Sequence, residues 1–119
     1  MMKHLILFGI LNITIKITII MYARNDKRRI YQLINMYLSK EITTSKFCNE
    51  FYYCYCIDLN HTTLTKIELY YFNELDQVCS RFSEYEEDHK LDPHAFSTEI
   101  EVFQKVQQIY YILNKIKHI

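Results

Sequence analysis

The chain has 119 residues, enough for one domain around one hydrophobic core and too few for a second. Half of the residues are apolar, with 11 Tyr and 7 Phe supplying bulk in the absence of Trp, so the composition is that of a folded protein and excludes a disordered one. Formal charge is zero, from 14 Lys/Arg and 14 Asp/Glu, and with one Gly and one Pro neither a turn-rich all-β fold nor a glycine-rich phosphate loop can be built.

The first segment reads MMKHLILFGILNITIKITII, a basic start followed by a mainly apolar run. As a membrane span it is weakened by Asn12, Thr14, Lys16 and Thr18, since one central Lys costs about 2.5–3.5 kcal/mol on insertion scales. As a signal peptide it lacks a small-x-small cleavage site after Leu5–Leu11. From Ile13 to Ile19 isoleucines alternate with Thr14, Lys16 and Thr18, the period of a half-buried strand. Three expectations stand: a leader ahead of a true start at Met21, a helix or strand packed on the fold, or a tether through residues 5–20. Residues 1–26 are taken as an extension and 27–119 as the folded domain.

A first helix is expected at Lys27–Ser39, where Ile30, Leu33, Ile34, Tyr37 and Leu38 make one apolar stripe. The stretch 40–45 breaks it, and Thr43 to Ser45 offer N-cap oxygens to a second helix from Thr44 to Ile57 with Phe47, Phe51, Cys54 and Tyr55 inward. A third helix follows the capping-box pair Thr65 and Glu68. Its heptad-like spacing places Leu64, Ile67, Tyr71, Leu75, Val78 and Phe82 inward. The acidic stretch 83–90 is expected as a solvated helix end or loop. The last helix starts either at Asp92-Pro93 or at Thr98 with Glu101, and buries Phe103, Val106, Tyr110, Leu113 and Ile116. Four amphipathic segments with short connections give an all-α class, an antiparallel four-helix bundle with an N-terminal apolar extension.

The zero net charge hides a division. Residues 1–47 carry eight Lys/Arg against two acids, and residues 48–119 carry six against twelve. Between Glu68 and Glu101 ten acids face only Arg81 and Lys90, a surface that repels nucleic acid and attracts basic partners. Direct nucleic-acid binding would rest on Arg24, Lys27, Arg28 and Arg29, which lack interleaved aromatics. Cys48, Cys54, Cys56 and Cys79 have no metal-knuckle spacing and are expected as buried free thiols in a reducing cytosol. Asp88, His89, Asp92 and His94 are a conceivable metal set, weighed against a solvated loop. No catalytic motif is present, so neither enzymatic activity nor a cofactor is expected, and the chain is read as a binding protein.

The run Ile30-Tyr-Gln-Leu-Ile-Asn-Met-Tyr-Leu-Ser-Lys-Glu-Ile-Thr-Thr-Ser-Lys-Phe47-Cys-Asn-Glu-Phe51 is an apolar helix, a polar-Lys-Ile-Thr turn and a Phe-centred second helix. Leu75, Val78 and Arg81-Phe82 then precede an acidic segment and a final helix with Glu101 and Val106. Over about residues 28–117 this resembles the colicin D type of bacterial immunity protein, whose relatives also accompany contact-dependent inhibition toxins. The resemblance implies a cytoplasmic four-helix bundle that covers the basic active site of a cognate nuclease, commonly a tRNA-cleaving ribonuclease. By the same resemblance the toxin-binding acids are Glu84, Glu86, Glu87 and Asp88, with Glu74 and Asp76 one or two turns earlier. The chain departs from the family in its N-terminal extension, in Tyr52, Tyr53 and Tyr55, and between Asp88 and Asp92.

Overall fold

The computed structural model describes residues 21–117, and these are all-α with no strand. Helix α1 spans Lys27–Leu38, α2 spans Thr44–Tyr52, α3 spans Lys66–Ser80, α4 spans Glu86–Leu91 and α5 spans Glu99–Lys117. The expectations made for residues 1–20 lie outside the described residues. No helix among the described residues is long and apolar enough to cross a membrane.

Local chemistry sets the boundaries. Asp26 caps α1 by accepting from the Arg28 backbone N–H, and Thr43 caps α2 by accepting from that of Lys46. At the end of α1 the Lys40 N–H bonds to the Tyr37 carbonyl (3.0 Å) and the Glu41 N–H to the Met36 carbonyl (2.9 Å). This is a Schellman closure, with Lys40 in the left-handed position at φ 65° where Gly is the usual residue. The capping box of α3 forms as its sequence implies, Thr65 and Glu68 each bonding the other's backbone N–H. At α5 it is Thr98 with Glu101 that makes the reciprocal pair, and Asp92 instead ends α4 and accepts from the His94 N–H (3.0 Å).

Helix α2 runs directly into a π-helical turn, Tyr53–Asp58, which closes with the Leu59 N–H on the Cys54 carbonyl (2.8 Å). Widening the turn keeps Cys54 and Tyr55 both buried behind Phe51, whose ring stacks on that of Tyr55 at 5.3 Å. The core is drawn from four helical segments. Ile30, Leu33, Ile34 and Tyr37 come from α1, Phe47, Phe51, Cys54 and Tyr55 from α2 and its π turn, Phe72, Leu75 and Cys79 from α3, and Val102, Val106, Ile109 and Leu113 from α5. Helix α4 buries nothing.

Two expected stripes are turned. On α3 the inward line is Glu68, Phe72, Leu75 and Cys79, with Ile67 exposed and Tyr71 and Val78 at its edge. On α5 it is Val102, Val106, Ile109 and Leu113, with Tyr110 and Ile116 exposed. Leu75, Val106 and Leu113 are buried as expected, but elsewhere the expected lines took a neighbouring aromatic or Ile, because both apolar lines satisfy the same three-and-four spacing. Cys56, expected buried, is exposed; Cys48, Cys54 and Cys79 are buried, and all four thiols are free.

Candidate functional site

The acidic stretch between α3 and α5 is held as a compact loop by its base. The Ser97 N–H bonds to the Arg81 carbonyl (2.8 Å) and the Ser83 N–H to the Ser97 carbonyl (3.3 Å), with Ser83 and Ser97 buried. Closed ends and internal packing make it an Ω-type loop, a class often used for recognition. Inside it, the Ser83 hydroxyl donates to Asp88 (2.6 Å) and accepts from the Tyr85 N–H (3.1 Å). His89 donates from Nε2 to the Ser83 carbonyl (2.8 Å), which fixes its tautomer because a carbonyl only accepts. Asp88 and His89 are therefore occupied in shaping the loop. No group of three or more His, Cys, Asp or Glu able to hold a metal occurs among the described residues.

Beside the loop lies a groove of about 560 Å³, between α2, the end of α3 and the loop itself. Asp76, Glu84 and Asp88 place carboxylates on it, and Tyr52, Phe82, Tyr85 and Phe96 give it aromatic walls. Tyr52 and Tyr85 are 48% and 61% exposed, more than packing within the fold requires. The Cys56 thiol donates to Asp76 (3.2 Å), and although the residue is exposed its pKa is pushed up to about 11, by partial desolvation of the sulfur and then by that bond. Cys48 and Cys79 line the same groove, and the hydrogen bond between them, with burial, raises the Cys79 thiol well above its ordinary value. The Cys56 and Cys79 thiols are therefore protonated and poorly nucleophilic at neutral pH.

Of the six sequence-expected acids, Asp76, Glu84 and Asp88 meet at this groove, while Glu86 lines an adjoining one with Glu84. Glu86 approaches Lys90 at 3.7 Å on the surface, and Glu84 and Glu87 are exposed with no ion pair among the described residues. Glu74 stands apart. It bonds Lys105 of α5 at 3.1 Å, and that contact with a Tyr70 hydrogen bond holds its carboxyl below the ordinary range. Asp76 lies two residues on, about 200° around the helix, toward α2.

Four basic residues at and before the start of α1 are engaged within the fold. Arg24 pairs with Glu50 (2.9 Å), Lys27 with Glu68 (2.9 Å) and Arg28 with Asp26 (2.7 Å), while Arg29 donates to Gln32 (2.9 Å) with Glu50 at 3.9 Å. What sequence reasoning did not assign to a site is the aromatic half of the groove, Tyr52, Tyr85 and Phe96, of which Tyr52 stood out only as a departure from the family. Tyr52 stands at the end of α2 and Tyr85 and Phe96 on the loop, so they meet only through the tertiary fold. No family model, curated protein or solved structure matches the chain.

Proposed function

We propose that this protein is an immunity factor of the colicin D type, which binds the catalytic domain of a cognate nuclease toxin one-to-one in the cytoplasm and covers its basic active site. In this reading the four longer helices form an antiparallel bundle, and the loop at 83–97 with its groove is the toxin-facing surface. The observation that carries it is the meeting of the exposed Glu84 carboxylate and those of Asp76 and Asp88 with the exposed Tyr52 and Tyr85 rings at one groove. Aromatic side chains supply contact area at low entropic cost, and carboxylates stand in for the phosphates that a ribonuclease cleft is built to grip. The pairing of Arg24, Lys27 and Arg28 with acids of the fold supports the same direction, because it matches the charge of those cations while Glu84 and Glu87 of the loop have no ion pair among the described residues.

The test is co-expression with the toxin encoded beside this chain. Glu84→Lys, Glu86→Lys and Glu87→Lys combined should abolish protection and weaken binding to the purified toxin domain by 100-fold or more, since like-charge juxtaposition costs several kcal/mol and each 1.4 kcal/mol is about tenfold. Circular dichroism should be unchanged, as these side chains are solvated. Asp88 is left intact because Ser83 depends on it. Full protection with unchanged affinity would overturn the reading.

A further inference from the structure

Cys48 of α2 and Cys79 of α3 meet at the groove beside the loop. A hydrogen bond joins their thiols, and each residue is 7% exposed. Cys48 shares its face of α2 with Ser45 and Tyr52, about one turn away on either side, and Cys79 shares its face of α3 with Asp76. All five residues line the groove. The other two thiols are placed differently. Cys54 is fully buried and does not line the groove, and Cys56 is exposed and donates to Asp76 (3.2 Å). One pair of thiols is thus in contact between two helices, with a route to solvent through the groove.

We infer that Cys48 and Cys79 are a dithiol switch, closed to an intramolecular disulfide by hydrogen peroxide and reopened by a thiol reductant, that ties α2 to the end of α3 along this groove. In the first step one sulfur attacks an oxygen of the peroxide and the O–O bond breaks. The departing hydroxide leaves as water with the thiol proton, and a sulfenic acid remains. The second sulfur then attacks the first, the S–O bond breaks, and the hydroxyl leaves as water with the second thiol's proton. Two thiols thereby give up two electrons and two protons, and one peroxide becomes two waters. Contact between the two residues favours this second step over further oxidation, because the resolving thiol is already beside the sulfenic acid. The tie reaches the loop as well, since the Cys79 carbonyl accepts from the N–H of Phe82 (3.2 Å), itself a groove residue. Nothing in this chemistry depends on which partner the groove meets.

Peptide mapping of the full chain, oxidised with hydrogen peroxide at about pH 8.5 where more of each thiol is ionised and then alkylated, tests the pairing. The expected product is a monomer with Cys48–Cys79 as its main cross-link, alkylated Cys54 and Cys56, and full reversal by dithiothreitol. In concentrated urea that preference should vanish, because loop closure in an unfolded chain favours the nearer pairs Cys54–Cys56 and Cys48–Cys54. The oxidised protein should unfold at a higher urea midpoint, equivalent to about tenfold or more in the folding equilibrium, since the bond restricts the unfolded chain. Deuterium uptake by fragments covering residues 44–52 and 79–85 should slow with it. Cys56→Ala should keep all of these changes and Cys79→Ala should lose them, while the mapping of the parent chain stands on its own if Cys79→Ala does not fold. Sulfinic acids on separate cysteines without a cross-link, or a main cross-link that uses Cys54 or Cys56, would overturn the inference. A Cys48–Cys79 bond that leaves both midpoint and uptake unchanged would overturn it too, because nothing would then be switched.

Discussion

Two single residues carry strain or charge that the rest of the fold supports. Lys40 holds a left-handed backbone conformation that costs an L-residue about 1–2 kcal/mol, and only the Schellman bonds at the end of α1 keep it there. Lys40→Gly should therefore raise stability by about 0.5–1 kcal/mol in urea melts, the strain relieved exceeding the entropy that Gly adds to the unfolded chain. Glu68 is the opposite case. Burial disfavours its ionised form, but the Tyr31 hydroxyl (2.5 Å), the Thr65 N–H (2.8 Å) and Lys27 (2.9 Å) more than offset this and hold its carboxyl below the ordinary range. A depressed folded-state pKa contributes stability above the unfolded value, near 4.3, and loses it as pH falls through the folded one. Glu68→Gln should thus cost about 1.5–3 kcal/mol at pH 7, as lost charge-assisted hydrogen bonds do, and less at pH 3. A cost that stays the same from pH 7 to pH 3 would mean that the carboxylate is not the source of the stability.

Among the elements, α5 offers the sharpest check on which face is buried. Ile109 is fully buried and its neighbour Tyr110 faces solvent. Ile109→Ala should cost about 2–5 kcal/mol and Tyr110→Ala less than about 1, measured as equilibrium unfolding. The reverse order would restore the Phe103–Tyr110 line. Helix positions were legible because their caps are chemical: Thr43, Thr65 and Thr98 with its Glu101 mark starts that side-chain oxygens enforce. Helix faces were legible only where the apolar line had no rival. On α1 the line Ile30, Leu33, Ile34 and Tyr37 stands alone and is buried, whereas α3 and α5 present two adjacent lines rich in Ile, Tyr and Phe. Which line turns inward is decided by partners in space, such as Phe72 edge-on to Phe51 at 6.3 Å, and periodicity does not carry that information. The acids of the candidate groove could be found as a charge run, but Glu74 could not be separated from Asp76 without the helix that points them apart.

At the scale of the whole molecule, the uneven charge along the sequence becomes an uneven charge in space. Cations near the start of α1 are drawn onto Glu50 of α2 and Glu68 of α3, and the Tyr37 hydroxyl donates to Thr44 (2.8 Å), which donates in turn to Glu99 (3.0 Å), tying α1, α2 and α5. Acids that serve the fold are thereby consumed, whereas Glu84 and Glu87 of the loop at 83–97 stay exposed with no ion pair among the described residues. If a basic toxin domain is the partner, its encounter with this surface should be steered. The association rate constant should fall by about tenfold or more as salt is raised from 0.02 to 0.5 M, because the Debye length contracts from roughly 20 Å to about 4 Å while the dissociation rate changes little. Placement of the steering charge can be resolved by comparing two variants in stopped flow. Glu87→Gln removes an unpaired charge from the loop and should slow association and flatten its salt dependence. Glu74→Gln removes a charge already matched by Lys105 across α3 and α5, and should leave the rate within about twofold. Equal effects from the two would extend the contact surface onto the α3–α5 face, and a rate indifferent to salt in the parent would remove electrostatic steering from the mechanism altogether.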